Sequence, residues 1–158
     1  MTARRSARRT RLRERSPRYS VTSSTPIVVD ASIAVLWFVN EPDRWGAAGL
    51  LQTASSLLSP EFMVVEMTNA LWKKLRRGLI DLADVEQAVT NLLALEIEWT
   101  PSVQLIKPAA RLAGELAHPV YDCLYLALAA SRGASLASAD ERLRHAAERV
   151  GLPIWHAA

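Results

Sequence analysis

Four acidic residues are placed along the sequence so that they could bind a cation together. Asp30 directly follows a run of three β-branched residues, and Asp140 follows another short apolar run. Asp122 opens a predicted helix, and Glu66 lies within a longer one. Two carboxylates about 4 Å apart repel each other by roughly 4 kcal/mol at an effective dielectric constant of about 20. Such a group therefore requires a bound cation or a raised pKa.

The expected cation is Mg²⁺ or Mn²⁺, because the candidate donors are oxygen atoms and hard ions prefer oxygen. Zinc is disfavoured, since the three histidines show no ligand spacing and Cys123 is the single cysteine. A hard ion polarises a phosphodiester and lowers the pKa of an attacking water, which indicates phosphodiester chemistry. Taken one at a time, the three aspartates are also explained as helix caps, and Glu66 as a solvated helical residue.

The elements that must position these acids alternate between short apolar strands and helices. Strands are predicted at residues 27–29, 57–58, 97–101, 134–138 and 153–155. Helices are predicted at residues 31–39, 43–54, 61–77, 81–95, 102–117, 122–131 and 140–149. This alternation predicts an α/β fold with a short, mostly parallel five-stranded sheet covered by helices on both faces. Ligands of such sheets bind beyond the carboxyl ends of the strands, so we expect the acids to converge there.

The net charge of the chain conceals two unlike segments. The 158 residues include 19 bases and 16 acids, a formal charge of +3. Residues 1–25 carry eight arginines and one glutamate, or +7, whereas residues 26–158 carry eleven bases and fifteen acids, or −4. The basic segment has too few large apolar side chains to fold, so a disordered tail is predicted before one domain at 26–158. An RNA-binding arm, a transit peptide and a mis-assigned start near Val21 stay open as explanations of the tail.

Neither a disulfide-stapled fold nor a membrane-spanning protein is predicted. A single cysteine cannot form an internal disulfide. The longest apolar runs, at 33–39 and 123–130, are much shorter than the roughly 20 residues that cross a bilayer. A cytoplasmic protein without membrane contact is therefore expected.

Four short motifs resemble those of a known family. They are VVDASIAV at 28–35, E-x-x-N-A-L at 66–71, YDCLYLALA at 121–129 and SADERL at 138–143. Together they resemble the PIN-domain ribonucleases, specifically the VapC-type toxins of type II toxin–antitoxin systems. The resemblance runs from about Ile27 to the C-terminus, keeps all four acids in order and leaves out the basic tail. It implies a PIN-like three-layer α/β/α arrangement.

The resemblance also implies a role for each acid in a metal site. Asp30 and Asp122 match the central ligands of Mg²⁺ or Mn²⁺. Glu66 completes the first site or reaches the ion through water. Asp140 supports a second ion or orients the attacking water. By this resemblance the four residues are both catalytic and metal-binding.

Three polar residues match positions that support these acids in the family. Ser32 and Ser138 match hydroxyls that hold the carboxylates in place, and Asn69 matches a helical Asn near the metal edge. An ordinary polar role at a helix start explains Ser32 equally well. His118 is expected in a turn or in packing, and Cys123 is expected to be a small buried apolar residue.

A cationic cluster ends the helix that carries Glu66. Lys73, Lys74, Arg76 and Arg77 are candidates for binding RNA phosphates beside the metal site. The same cations would stabilise the C-terminus of a helix through its dipole, so a purely structural role stays open. The five tryptophans are expected in the core or in interfaces rather than in base stacking.

The resemblance implies a metal-dependent endoribonuclease that acts as the toxin of a toxin–antitoxin pair. Such an enzyme hydrolyses phosphodiester bonds of single-stranded or looped RNA. The implied partners are an RNA substrate, a protein antitoxin over the acidic cleft and a second copy in a homodimer. The alternative is an RNA-processing nuclease, or a non-catalytic RNA-binding or scaffold module, outside toxin–antitoxin biology. The intact set of four acids argues against a degenerate domain.

Overall fold

The computed structural model describes residues 24–53 and 55–157, and within them seven helices flank one parallel sheet. The strands are β1 (Ile27–Val29), β2 (Leu57–Pro60), β3 (Ile97–Thr100) and β4 (Ser135–Ala137). The helices are α1 (Ala31–Leu36), α2 (Ala47–Leu50), α3 (Phe62–Arg76), α4 (Leu82–Leu93), α5 (Ser102–Leu116), α6 (Val120–Arg132) and α7 (Glu141–Arg149). The predicted α/β class is confirmed.

The sheet has the strand order β3–β2–β1–β4, and all of its strand pairs are parallel. Val28 in β1 pairs with Leu58 on one side and with Leu136 on the other. These three residues are fully buried, as expected for a parallel sheet covered by helices on both faces. Because β1 and β4 are parallel neighbours, the side chains that follow their carboxyl ends come close together.

The predicted fifth strand is wrong, because the described sheet has four strands. Within residues 153–155 only Ile154 pairs with the sheet, in an isolated bridge to Leu136 of β4. The Leu136 amide donates to the Pro153 carbonyl and the Trp155 amide donates to the Leu136 carbonyl, each at 2.8 Å. Pairing does not extend further, since Pro153 has no N–H to donate and a single bridge does not make a ladder.

Two predicted helices are shorter in the structure. The predicted helix 31–39 ends at Leu36, and the predicted helix 43–54 shrinks to the four residues of α2. Helix α1 ends early because the next two amides bond to carbonyls three residues back, which closes a tight turn. Helix α2 begins late because the Asp43 carboxylate accepts hydrogen bonds from its first two amides, at 2.7 and 2.9 Å. The residues before α2 therefore form a capping loop.

Helix α6 lies against the centre of the sheet. It packs on β1, β2 and β4, and α5 packs against it in turn. All seven residues from 123 to 129 are buried. The helix begins at Val120, two residues before the predicted start, because Pro119 at the cap has the φ of −56° that suits a helix start. Asp122 consequently lies in the first turn of α6 rather than at its cap.

The predicted basic tail, residues 1–25, lies outside the described residues except for 24 and 25, and it stays a prediction. From residue 26 onward the described chain packs around a single hydrophobic core. No helix within 24–53 and 55–157 is long and apolar enough to cross a membrane.

Although β4 is an edge strand, its core side chain Leu136 is fully buried, which predicts a large stability cost when that side chain is truncated. Leu136 is fully buried, so Leu136→Ala is expected to lower the free energy of unfolding by about 2–5 kcal/mol. Leu79→Ala is the matched control, because that leucine is 64% exposed and its truncation should cost less than about 0.5 kcal/mol. Urea unfolding measures both values, and equal costs would contradict the placement of β4.

Candidate functional site

Asp30 is a buried carboxylate between the end of β1 and the start of α1. Only 4% of the residue is exposed. Its carboxylate accepts hydrogen bonds from the Ser32 hydroxyl at 2.6 Å, the Ser138 hydroxyl at 2.7 Å and the Ile33 amide at 3.2 Å. The last of these bonds makes Asp30 the N-cap of α1. Asp30 therefore caps a helix and also belongs to the candidate site, so the two explanations offered by the sequence are compatible.

The two serines hold Asp30 from opposite segments of the chain. The Ser32 hydroxyl oxygen accepts the Ala139 amide at 2.8 Å, and the Ser138 hydroxyl oxygen accepts the Asp140 amide at 3.0 Å. Because each oxygen accepts an amide, each hydroxyl proton is left to donate to the carboxylate. The turn after β4 is thereby tied to the turn after β1, which fixes the orientation of Asp30.

Burial raises the pKa of Asp30 from 3.8 to about 7. Loss of hydration is the largest cause, and the negative charge of Glu66 adds to it. The hydrogen bonds from Ser32, Ser138 and the Ile33 amide oppose this increase but do not cancel it. Without a positive charge nearby, the Asp30 side chain therefore keeps its proton up to nearly neutral pH.

Glu66 reaches the site from the middle of α3. Its carboxylate accepts a hydrogen bond from the Tyr125 hydroxyl at 2.6 Å. Partial burial raises the pKa of Glu66, the Tyr125 bond lowers it, and the charges of Asp122 and Asp140 raise it again. Tyr125 is fully buried on α6, and sequence reasoning did not identify it. The available signal was its position three residues after Asp122, on the same face of the helix.

Asp122 is paired with a histidine that sequence reasoning placed only in a turn or in packing. Its carboxylate lies 2.9 Å from Nε2 of His118. Nε2 is buried and has no well-aligned hydrogen-bond partner. Burial raises the pKa of Asp122, and the charge of Asp140 adds to that rise while His118 opposes it. The signal for this pair was the i, i+4 spacing across Pro119.

Asp140 is the most exposed of the four acids. It caps α7, and its carboxylate accepts the Arg142 amide at 2.8 Å and the Leu143 amide at 3.3 Å. Its charge raises the pKa of both Glu66 and Asp122, so the three carboxylates face a common space.

The structure brings the four acids to one edge of the sheet without bringing them into contact. Within 24–53 and 55–157, no three His, Cys, Asp or Glu side chains are grouped so that they could hold a metal ion as they stand. Asp30 also contacts no basic side chain there. An all-oxygen donor set with surplus negative charge fits a hard divalent cation such as Mg²⁺ or Mn²⁺.

The four candidate phosphate-binding cations on α3 differ in their surroundings. Lys73 lines a groove of about 660 Å³ together with Glu66 and Asn69. Lys74 forms an ion pair with Glu41, which faces the same groove. The guanidinium of Arg76 stacks on the Trp72 ring at 5.3 Å. Arg77 is the C-cap residue of α3, and its backbone amide bonds to carbonyls of the last turn. A larger cavity of about 880 Å³ lies between β3, α5 and α6 and includes none of the four acids.

Comparison with known proteins identifies the family. The family model of the PIN domain matches residues 27–149, and the chain belongs to the PIN-domain family. Ribonuclease VapC3 of Pyrobaculum aerophilum is 31% identical over 123 residues, which cover 74% of this chain and 91% of that protein. Ribonuclease VapC9 of Mycobacterium tuberculosis is 31% identical over 117 residues, which cover 74% of this chain and 87% of that protein. The predicted resemblance to VapC-type PIN-domain proteins is confirmed.

A solved structure shares the fold at low sequence identity. The crystal structure of Mycobacterium tuberculosis VapC20, described as a sarcin-ricin loop cleaving toxin, has a TM-score of 0.64 and 15% identity to this chain. The match covers 83% of this chain and 99% of that one. At this identity the likeness supports the fold of a parallel sheet flanked by helices.

The raised pKa of Asp30 predicts a pH-dependent stability in the absence of metal. The pKa is 3.8 in the unfolded chain and about 7 in the folded one, so the folded state binds the proton more tightly. Stability is therefore highest below pH 4 for this group and falls as the pH rises toward 7. The shift of about three units corresponds to roughly 4 kcal/mol. We expect Asp30→Asn, measured in EDTA, to be more stable than wild type at pH 8.

Urea unfolding across this pH range provides the measurement. The stability gain of Asp30→Asn should shrink toward acidic pH, where wild-type Asp30 is also neutral. Asp81→Asn is the matched control, because Asp81 caps α4 in an exposed capping box outside the site. An Asp30→Asn variant that follows wild type at every pH would contradict the buried, uncompensated carboxylate.

Proposed function

We propose that the chain is a Mg²⁺- or Mn²⁺-dependent endoribonuclease and the toxin of a toxin–antitoxin pair. The observation that supports this most directly is Asp30, a carboxylate buried among neutral donors and facing other acids without a basic partner among the described residues. Such an arrangement lowers stability unless a cation binds. The ribonuclease names of the VapC relatives support the reaction, and the description of VapC20 as a toxin agrees with the proposed role.

The metal ligands that we propose are Asp30, Glu66, Asp122 and Asp140. A bound divalent ion would neutralise these acids, polarise the phosphodiester and lower the pKa of a water. Other residues of the chain hold these ligands in position. Asp30 is held by two hydroxyls, Glu66 by the Tyr125 hydroxyl and Asp140 by the amides of α7.

The neutral character of these supports matters for the proposed chemistry. A hydroxyl or an amide orients a carboxylate without cancelling its charge, whereas an arginine in contact would compete with the ion. His118 differs from these neutral supports, because it lies 2.9 Å from Asp122. Lys73 and Arg142 also lower the pKa of Glu66 and of Asp122, respectively, through their charge. We infer that this histidine holds Asp122 in place, with Asn69 and Lys73 lining the approach on the side of Glu66.

Two protein partners belong to the same proposal. A protein antitoxin would cover the acidic cleft, and a second copy would form a homodimer through apolar helical faces. Large apolar side chains that are at least 45% exposed support both, since such side chains favour interfaces. On α3 to α5 they are Val65, Trp72, Leu79, Leu82, Leu93, Val103 and Ile106.

Cleavage of RNA by purified full-length protein tests the proposed activity. Wild type should cleave single-stranded RNA in the presence of Mg²⁺ or Mn²⁺, and EDTA should abolish the cleavage. Asp30→Asn should reduce cleavage to background, because the amide cannot supply the charge. Asp81→Asn should cleave like wild type, since it makes the same substitution at a cap outside the site. Cleavage that survives EDTA, or an active Asp30→Asn protein, would refute the proposal.

The toxin role is tested by expression in bacteria. Wild type should arrest growth with loss of RNA integrity, and Asp30→Asn should do neither. Normal growth together with metal-dependent cleavage in vitro would favour an RNA-processing nuclease outside toxin–antitoxin biology.

Tyr125 is predicted to position Glu66 rather than to react. Tyr125→Phe removes the hydroxyl that donates to Glu66 and keeps the buried ring. We expect the affinity for Mn²⁺, measured by calorimetry, to fall by roughly tenfold, which is typical when a support of a metal ligand is lost. Far-ultraviolet circular dichroism should be unchanged. An unchanged Mn²⁺ affinity would show that Glu66 does not need this hydrogen bond.

A further inference from the structure

A small cleft with basic and aromatic walls lies beside the acidic site. Its volume is about 240 Å³. It is here called the arginine cleft, and its lining includes Arg44, Trp45, Ser138, Arg144, Trp155 and His156. Ligand pockets for whole small molecules are usually larger, about 300–1,000 Å³, so this cleft is suited to a single chemical group.

The arginine cleft shares residues with the acidic site. Ser138 lines the cleft and donates its hydroxyl proton to Asp30 at 2.7 Å. Ile33 also lines the cleft, and its amide donates to the same carboxylate. A ligand in the cleft would therefore lie directly beside the carboxylate that we propose as a metal ligand.

The two arginines of the cleft have no acidic partner among the described residues. The guanidinium of Arg144 lies 4.4 Å from the centre of the Trp45 ring. Within 24–53 and 55–157, neither Arg144 nor Arg44 forms an ion pair, in contrast to Arg132, which is paired with Glu98. Stacking on an aromatic ring restrains a guanidinium and leaves its N–H edges available for a ligand.

The walls of the cleft are held together by close backbone packing. Gly46 has a φ of +70°, and a Cβ at this position would lie 2.3 Å from the Cβ of Ala157. The capping loop before α2 and the segment 155–157 are therefore in direct contact. This contact places Trp45 and Trp155 on the same cleft. Both are partly buried and also pack against the core, as expected from the sequence.

We propose that the arginine cleft binds one phosphate of the RNA strand, with the adjoining base near the tryptophans. This inference rests on the proposed function. A strand laid across four carboxylates carries a phosphate on every nucleotide, and the acids repel each of them. Unpaired guanidinium groups next to the acids offset that repulsion and prefer phosphate as a partner. Aromatic rings at the same place suit an unpaired base.

RNA binding by full-length protein in EDTA tests the cleft separately from cleavage. The probe is a short fluorescein-labelled single-stranded RNA of mixed sequence, and anisotropy gives the affinity. The Arg44→Gln/Arg144→Gln variant should bind about tenfold more weakly than wild type. Its slope of log affinity against log salt should be smaller by about 0.7, the value expected for one lost phosphate contact on a single strand.

The matched control removes two cations from a different surface. Lys107→Gln/Arg111→Gln loses the same charge from α5, where no candidate acid lies. Its salt slope should equal that of wild type. An equal loss of RNA affinity in both double variants would indicate general charge attraction and would overturn the proposal that the cleft binds a phosphate. Wild-type protein that does not bind the RNA would also overturn it.

Other outcomes separate this inference from the proposed function. If the arginine variant binds RNA like wild type while wild type cleaves RNA with Mg²⁺, the cleft is refuted and the function stands. If the arginine variant loses binding while no metal supports cleavage, the function fails and the cleft stands. A variant that loses binding to a polyglutamate peptide but not to RNA would assign the cleft to an acidic protein and refute the proposal.

Discussion

The burial of one carboxylate among neutral hydrogen-bond donors is the constraint from which the organisation of the site follows. Asp30 must be desolvated because it stands between a fully buried strand and the first turn of α1. Among the described residues, its charge is stabilised only by dipoles, and these come from Ser32, Ser138 and a backbone amide. Since Ser32 and Ser138 are 106 residues apart, the same network fastens the β1 and β4 turns to each other. The hydrogen bonds that orient Asp30 therefore also hold β1 and β4 next to each other.

Glu66 and Asp140 are also held by neutral hydrogen-bond donors, although they are less buried than Asp30. Glu66 has a tyrosine hydroxyl, and Asp140 has two helix amides. Each of these contacts fixes a direction and leaves most of the negative charge in place. The acids are kept apart, which limits their mutual repulsion but does not remove it, as the raised pKa values of Asp30, Glu66 and Asp122 indicate. The repulsion among the acids lowers the stability of the metal-free protein, and a bound cation would restore it.

Sequence reasoning succeeded where a contact is local and failed where it depends on packing. The spacing of Asp30 and Ser32 and the alternation of strands and helices are legible in the sequence, because capping and hydrophobic patterning act over a few residues. Tyr125 was missed, since its hydroxyl meets Glu66 across 59 residues of sequence, a contact that only the tertiary fold brings about. The fifth strand was predicted from an apolar triplet, but a proline and a single bridge limit its pairing. The placement of the site residues agrees with the predicted edge, while their roles remain proposals.

The separation of opposite charges explains how an acidic site can coexist with a polyanionic substrate. In the part of the chain that the structure describes, Asp30 contacts only neutral donors, and Arg144 contacts a neutral aromatic ring. Had these two side chains paired with each other, the carboxylate would have lost its need for a cation and the guanidinium its capacity to bind a phosphate. Ser138 is bonded to Asp30 and lines the same cleft as Arg144. Neutral partners therefore keep both charges unpaired within a short distance of each other, and the net charge of the domain does not reveal that arrangement.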